Sequence, residues 1–307
     1  GCTTSYSWTN SIPTVGLAAA VTCDIATFNA ANSTFAPVAA IVTVNPWFEN
    51  GGLTCPGPSQ SFTLNVNPTA HVNDPPNLVR CNGESTSATF SSLNSGGTTT
   101  YTWTNSDPTV GLAASGTGDI ASFAVVNTTT APVTATITVT PAFTNGTVTC
   151  GGPEQSFNLT VNPSAQVEPV ASQVVCHGDN TGAVAFATLN TGGTASYTWT
   201  NSDPSVGLAA AGTGDIAAFS AVNTTHAPVT ATITVTPWFE NAGVTCTGAP
   251  QAFNITVNPS AQVEPIASQI VCHGVNTGAV AFSTLNTGGT TSYTWTNSDP
   301  TVGLAAA

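Results

Sequence analysis

The sequence predicts an all-β protein: tandem immunoglobulin-like β-sandwich domains arranged as an extended rod. Three observations predict it. Whole blocks of sequence recur with a period near 96 residues, apolar and polar residues alternate within each block, and turn-forming residues separate the alternating runs.

The period is set by Trp8, Trp103, Trp199 and Trp295, which lie 95, 96 and 96 residues apart. They sit in SYSWTNSIPTVGLAAA, TYTWTNSDPTVGLAAS, SYTWTNSDPSVGLAAA and SYTWTNSDPTVGLAAA. A second block recurs as AIVTVNPWF, ATITVTPAF and ATITVTPWF, and a third as SFTLNVNP, SFNLTVNP and AFNITVNP, ending at Pro68, Pro163 and Pro259. Solenoid repeats run to about 20–50 residues. A period near 96 instead matches an immunoglobulin-like domain of about 100 residues with its own core. Proline has no backbone N–H to donate, so each Val-Asn-Pro marks a strand end and a domain boundary. The expected domains are 1–68, 69–163, 164–259 and 260–307, the first lacking its opening strands and the last its closing ones.

The strands follow from a period of two. In the run 133–140, Val133, Ala135, Ile137 and Val139 alternate with Thr, giving one buried and one wet face. Phe157, Leu159 and Val161 alternate with Asn158, Thr160 and Asn162 in the same way. Gly96-Gly97, Asp107-Pro108, Gly116-Thr117-Gly118 and Ala131-Pro132 punctuate the runs. About seven short strands per repeat fit a two-sheet sandwich. Trp8, Trp103, Trp199 and Trp295 take the place of the core Trp of such sandwiches. Trp47 and Trp238 lie in Pro-Trp-Phe-Glu-Asn, where the second repeat has Ala142, so they are expected at the surface as contact residues.

The composition removes several functions. The 307 residues include no Lys, the single Arg is Arg80, and the formal net charge is −13. Nucleic-acid binding and docking on anionic membranes need cations that this chain does not carry. No apolar run reaches the roughly 18 residues of a membrane span, so no membrane insertion is expected. Isopeptide cross-links between Lys and Asn are impossible. The chain contains no Met and reads as a mature or excerpted segment. Either it is part of a longer array, or subunits exchange strands head to tail, residues 260–290 of one completing 1–68 of the next.

The string CNG or CHG, then YTWTNSDPxVGLAAxGTGDI, APVTATITVTP, TCxG and FxxTVNP resembles the PKD-like and SprB-type repeats of Bacteroidota cell-surface adhesins, which are exported by type IX secretion. The resemblance spans the chain and implies an extracellular stalk or adhesin without implying a ligand. The first repeat departs from it: SIP replaces SDP at residues 11–13, and Cys2 and Cys23 replace Gly97 and Gly118.

The eight Cys lack zinc spacing and indicate an oxidising compartment. Each full repeat owns one early and one late Cys. The expected disulfides are Cys81–Cys150 and Cys176–Cys246, with a local Cys2–Cys23 bridge. The rival is a bridge between domains at the constant separation of 26, such as Cys55–Cys81.

Chemical sites are sparse. Asp107, Asp203 and Asp299 in Ser-Asp-Pro, and Asp119 and Asp215 in Gly-Asp-Ile, read as turn formers. Asp107, Asp119, Asp203 and Asp215 are also the candidates for Ca²⁺, the one cofactor considered. His177 and His273 follow Cys, but the second repeat has Asn82 there, which favours a turn role over metal. The four His (His71, His177, His226 and His273) form no repeating Ser-His-Asp pattern, so no enzyme is expected. Asn127, Asn145, Asn158, Asn223 and Asn254 head sequons, with Asn158 and Asn254 expected on a wet face. The expected role is a stalk or filament segment whose partners are neighbouring repeats, copies of itself or surface polysaccharide. Its alternatives are a carbohydrate-binding array and the spacer of a large secreted enzyme.

Overall fold

The computed structural model describes residues 5–304, in two compact units, Gly1–Asn162 and Pro163–Ala307. In the first unit, β1 (Ser5–Asn10), β2 (Ala20–Thr22), β3 (Val38–Asn50), β4 (Leu53–Pro56) and β5 (Gln60–Val66) build a five-stranded sheet. Its order is β2-β1-β3-β4, with β5 also on β3. The second repeat contributes β6 (Leu78–Cys81), β7 (Ser85–Ala88), β8 (Thr98–Asn105), β9 (Ser115–Thr117), β10 (Ile120–Ala124), β11 (Val133–Asn145), β12 (Val148–Gly151) and β13 (Gln155–Asn162). Six of these form a sheet ordered β6-β13-β11-β8-β9, with β12 on β11, and β7 pairs β10 in a second layer.

The second unit repeats the large sheet with β14 (Gln173–Cys176), β15 (Thr194–Asn201), β16 (Ala211–Thr213), β17 (Val229–Asn241), β18 (Val244–Thr247) and β19 (Gln251–Asn258). Its second layer is reduced to the bridges Asn180↔Ser220 and Val184↔Ile216. Among the described residues, no strand follows β19. No helix there is long and apolar enough to cross a membrane.

The long strands β3, β11 and β17 are the spines. On β11, Ala135, Ile137, Val139 and Phe143 are wholly buried, as period-two alternation requires. Of these, Ala135, Ile137 and Val139 pack with Trp103, Val110, Leu112, Ile120, Phe157 and Leu159. The opposite face substitutes hydroxyls for ion pairs. Thr134 bonds Thr160 at 2.8 Å, Thr136 bonds Asn158 at 3.1 Å, and Thr138 bonds Ser156 at 3.0 Å. Cross-strand Thr pairs of this kind stabilise a sheet without charge, which is how a chain with 5% charged residues keeps its wet face satisfied.

Trp8, Trp103 and Trp199 are buried as expected. Trp103 lies opposite Gly116, and a Cβ there would stand 2.2 Å from its ring; Gly212 and Trp199 repeat this fit. Trp295 departs from the expectation and is exposed. The reason is local: residues 290–297 form no strand, so nothing covers the ring.

β13 and β19 end directly before Pro163 and Pro259, and β5 ends two residues before Pro68. Within the first unit, the first and second repeats meet through a small set of bonds. Phe35 O accepts from Ser95 N–H at 2.9 Å, and the Phe35 ring meets His71 edge-on at 5.1 Å. Asn145 Nδ2 donates to Asn67 Oδ1 at 3.0 Å.

Candidate functional site

The strand register corrects the two intradomain disulfides. Cys81 lies beside Asn162, next to the Val133↔Val161 pair, whereas Cys150 lies opposite Phe143. Ten residues of β11 separate these levels, about 33 Å at strand rise. Bridged cysteines have Cα atoms within about 7 Å, so Cys81–Cys150 cannot form in this fold. Cys176 beside Asn258 and Cys246 opposite Phe239 stand at the same two ends of β17, which removes Cys176–Cys246. Accordingly Cys150 and Cys176 carry free thiols, as do Cys55 and Cys272. Cys23, Cys81 and Cys246 are disulfide-bonded. Cys2 lies outside the described residues. Cys23 occupies the left-handed position (φ 99°) that Gly118 holds in the second repeat, a conformation L residues rarely adopt.

The polar residues that recur between the repeats serve the fold. Asn105 is buried, donates from Nδ2 to Leu112 O at 2.9 Å and accepts from Asp107 N–H at 3.1 Å. Asp107 then caps the Pro108–Val110 turn by accepting from Thr109 N–H at 3.0 Å and Thr109 Oγ1–H at 2.6 Å. Asn201 and Asp203 repeat this, with Ser205 as donor. The Ser205 hydroxyl and backbone N–H hold the Asp203 carboxyl below its ordinary value, and Thr301 does the same for Asp299. Asp119 accepts from Phe90 N–H at 2.8 Å and Asp215 from Phe186 N–H at 2.9 Å, tying the two layers together. The four carboxylates proposed for Ca²⁺ are therefore engaged as separate latches. No group of three acidic, His or Cys side chains gathers among the described residues.

His177 is explained by the same logic. Its Nδ1 accepts from Asn223 N–H at 2.9 Å, and in the second repeat Asn82 Oδ1 accepts from Asn127 N–H at 2.9 Å. The position needs an acceptor, which either residue supplies. Sequence reading treated Asn127 and Asn223 as sequons and missed their structural role. Both are buried, and Asn127 Nδ2 donates to Ala131 O at 2.9 Å and Val161 O at 2.7 Å. The recurrence of the Asn at one place in each repeat was the available signal. Asn158 and Asn254 are exposed.

Two surface features remain. Trp47 is exposed on the wet face of β3, and its Nε1 reaches Ser7 Oγ at 3.4 Å. It lines a cleft of about 790 Å³ with Tyr6, Phe48, Glu49 and Pro56. Trp238 holds the same place on β17, half-buried, with Nε1 donating to Thr198 Oγ1 at 3.2 Å. A second cleft of about 580 Å³ lies between β5 and the β11–β12 turn, lined by Ala30, Leu64, Val66, Asn67, Asn145 and Cys150.

No protein-family model and no curated protein matches the chain. Solved structures similar to it include runs of immunoglobulin and FN domains. Immunoglobulin domains 1–5 of Sidekick-1 align at 11% identity and TM-score 0.32, covering 87% of this chain and 56% of that one. The FN1–FN3 domains of chicken CNTN1 align at 8% identity and TM-score 0.28, covering 83% and 90%. A SusE-like, surface-located polysaccharide-binding protein from the heparin utilisation locus of Bacteroides thetaiotaomicron aligns at 13% identity and TM-score 0.24, covering 66% and 37%. The chain is an all-β array of immunoglobulin-like sandwiches, an assignment that rests on the strands and registers described above.

Proposed function

We propose that this chain is a stalk segment of an extracellular surface adhesin, its repeats acting as mechanical spacers between domain boundaries at Pro68, Pro163 and Pro259. One observation carries the reading. Side chains that recur between the full repeats are committed to the fold: Asn105 and Asn201, Asp107 and Asp203, Asp119 and Asp215, and Trp103 against Gly116 all make the same structural contacts. That pattern supports repetition for length rather than for chemistry. The resemblance to PKD-like repeats of Bacteroidota, with type IX export, belongs to the same reading, and so does a Cys2–Cys23 bridge in the first repeat.

Single-molecule stretching tests it. Each complete repeat should unfold in one step and lengthen the chain by about 300 Å, the reach of its roughly 95 residues at about 3.5 Å each less the folded length. Unfolding without discrete steps at low force would overturn the stalk reading.

The exposed Trp47 and its cleft favour polysaccharide as a second reading. Binding on a glycan array that disappears in Trp47→Ala would support it, and binding indifferent to that change would exclude this cleft.

A further inference from the structure

The second and third repeats fasten the same loop with the same clasp, built from different side chains. In each, the turn that follows the edge strand bonds the end of the last strand and a loop. Asn82 N–H donates to Asn162 O at 2.9 Å and Gly83 N–H to Val125 O at 2.8 Å. His177 N–H donates to Asn258 O at 2.9 Å and Gly178 N–H to Ala221 O at 2.8 Å. The side chain of the first turn residue then accepts from a loop asparagine. Asn82 Oδ1 accepts from Asn127 N–H, and His177 Nδ1 from Asn223 N–H, both at 2.9 Å.

The clasped residues are the ones that staple the loop. Asn127 and Asn223 are both buried. Asn223 Nδ2 donates to Ala227 O at 2.8 Å and Val257 O at 2.7 Å, and its Oδ1 accepts from Thr225 N–H at 2.9 Å. Asn127 makes the same three bonds to Ala131, Val161 and Thr129. The two clasps differ in the acceptor. An amide oxygen accepts at every pH. A neutral imidazole has one acceptor nitrogen, here Nδ1 because a backbone N–H can only donate, and an imidazolium has none. Imidazole takes up its charge between about pH 5 and pH 8. A charged His177 sets donor against donor and strips a buried N–H of its partner, which is destabilising.

We propose that the Cys-His-Gly turn of the third repeat is an acid-released clasp, so that this repeat loosens in mild acid while the second repeat holds. The clasp needs neutral His177. Its contribution is complete above the range in which imidazole charges and is lost as the pH falls through it. The groups around the ring leave His177 as the switch. Its own turn carries the free thiol of Cys176 and Asp179, whose N–H donates to Cys176 O at 3.1 Å. The facing loop carries His226, and Ile255–Asn258 at the end of β19 carries no titratable side chain. The Pro204–Val206 turn, which meets the loop through Val206 O and Val222 N–H at 2.9 Å, is preceded by Asp203, whose carboxylate is engaged by Ser205. No Lys or Arg stands anywhere in the third repeat to oppose a charged ring. In a chain under load, the third repeat then yields before the second in mild acid.

The inference is independent of the stalk reading, since a repeat can loosen in acid whatever the array is for. Hydrogen exchange of the intact chain, read residue by residue by NMR, tests it. Asn127 and Asn223 both follow Val and precede Thr, so their intrinsic exchange rates match and their ratio cancels the direct effect of pH. His71 also accepts from a backbone N–H, that of Leu93 at 3.5 Å, which is why the readout is a single amide rather than global melting. The two amides should be similarly protected at about pH 7.5, and Asn223 should lose about tenfold relative to Asn127 at about pH 5.5, equivalent to about 1.4 kcal/mol. His177→Asn, which installs the acceptor of the second repeat, should hold the ratio constant across that range. Asn82→His should transfer the acid sensitivity to Asn127. A ratio that does not change with pH in the wild type, or an acid loss at Asn223 that persists in His177→Asn, would overturn the proposal.

Discussion

Gly212 illustrates how one residue can govern a repeat. It lies opposite Trp199, and a Cβ would meet the indole ring at 2.2 Å. Gly212→Ala must therefore displace the ring or the strand, and overpacking of this kind costs about 2 kcal/mol. Chemical denaturation should show that loss, while alanine at Gly214, where nothing lies within 4 Å, meets only the strain of its left-handed backbone. Asp203 offers a pH test. Its carboxyl is held below the ordinary value of 3.8 by the Ser205 hydroxyl and then its N–H. A depressed native pKa gives stability that is present above the unfolded value and lost as pH falls through the native one. Asp203→Asn keeps the acceptor but does not titrate. Its melting temperature should fall less steeply than the wild type's as the pH is lowered below 3.8, and parallel curves would show that the cap does not contribute.

At the scale of elements, β11 and β17 act as rulers. Each carries one cysteine level near its first residue and another ten residues along, so the early and late Cys of one repeat face opposite ends of the sandwich. Mass spectrometry of a non-reduced digest should recover no Cys81–Cys150 and no Cys176–Cys246 peptide. Recovery of either would require a different register for the central strand. The same ruler explains the two layers. Asp119 and Asp215 reach Phe90 and Phe186 from the turn after β9 and β16, and hold the thin second layer where few strand pairs do.

For the whole molecule, charge is the governing property. With one cation against fourteen acids, solubility rests on Thr, Ser and Asn hydroxyls and amides together with uniform negative charge. Trypsin has a single site, Arg80, which lies within β6 and is half-buried, its guanidinium donating to Val79 O at 2.8 Å. The folded chain should resist trypsin, and the unfolded chain should give two fragments, 1–80 and 81–307. Rapid cleavage of the folded chain would mean that β6 leaves the edge of β13 readily.

Class, period and strand faces were legible along the chain, because alternation of Thr with Ala, Ile and Val and the recurrence of Trp, Gly and Pro are local properties that act within a few residues. The surface position of Trp47 was legible too, since a place that accepts Ala142 cannot be a large buried one. Which cysteines can meet, what Asn127 and His177 do, and why Trp295 is bare became visible in the folded chain alone. Each depends on register between strands far apart in the chain: early and late Cys look like a pair along the sequence, yet ten residues of β11 hold them about 33 Å apart.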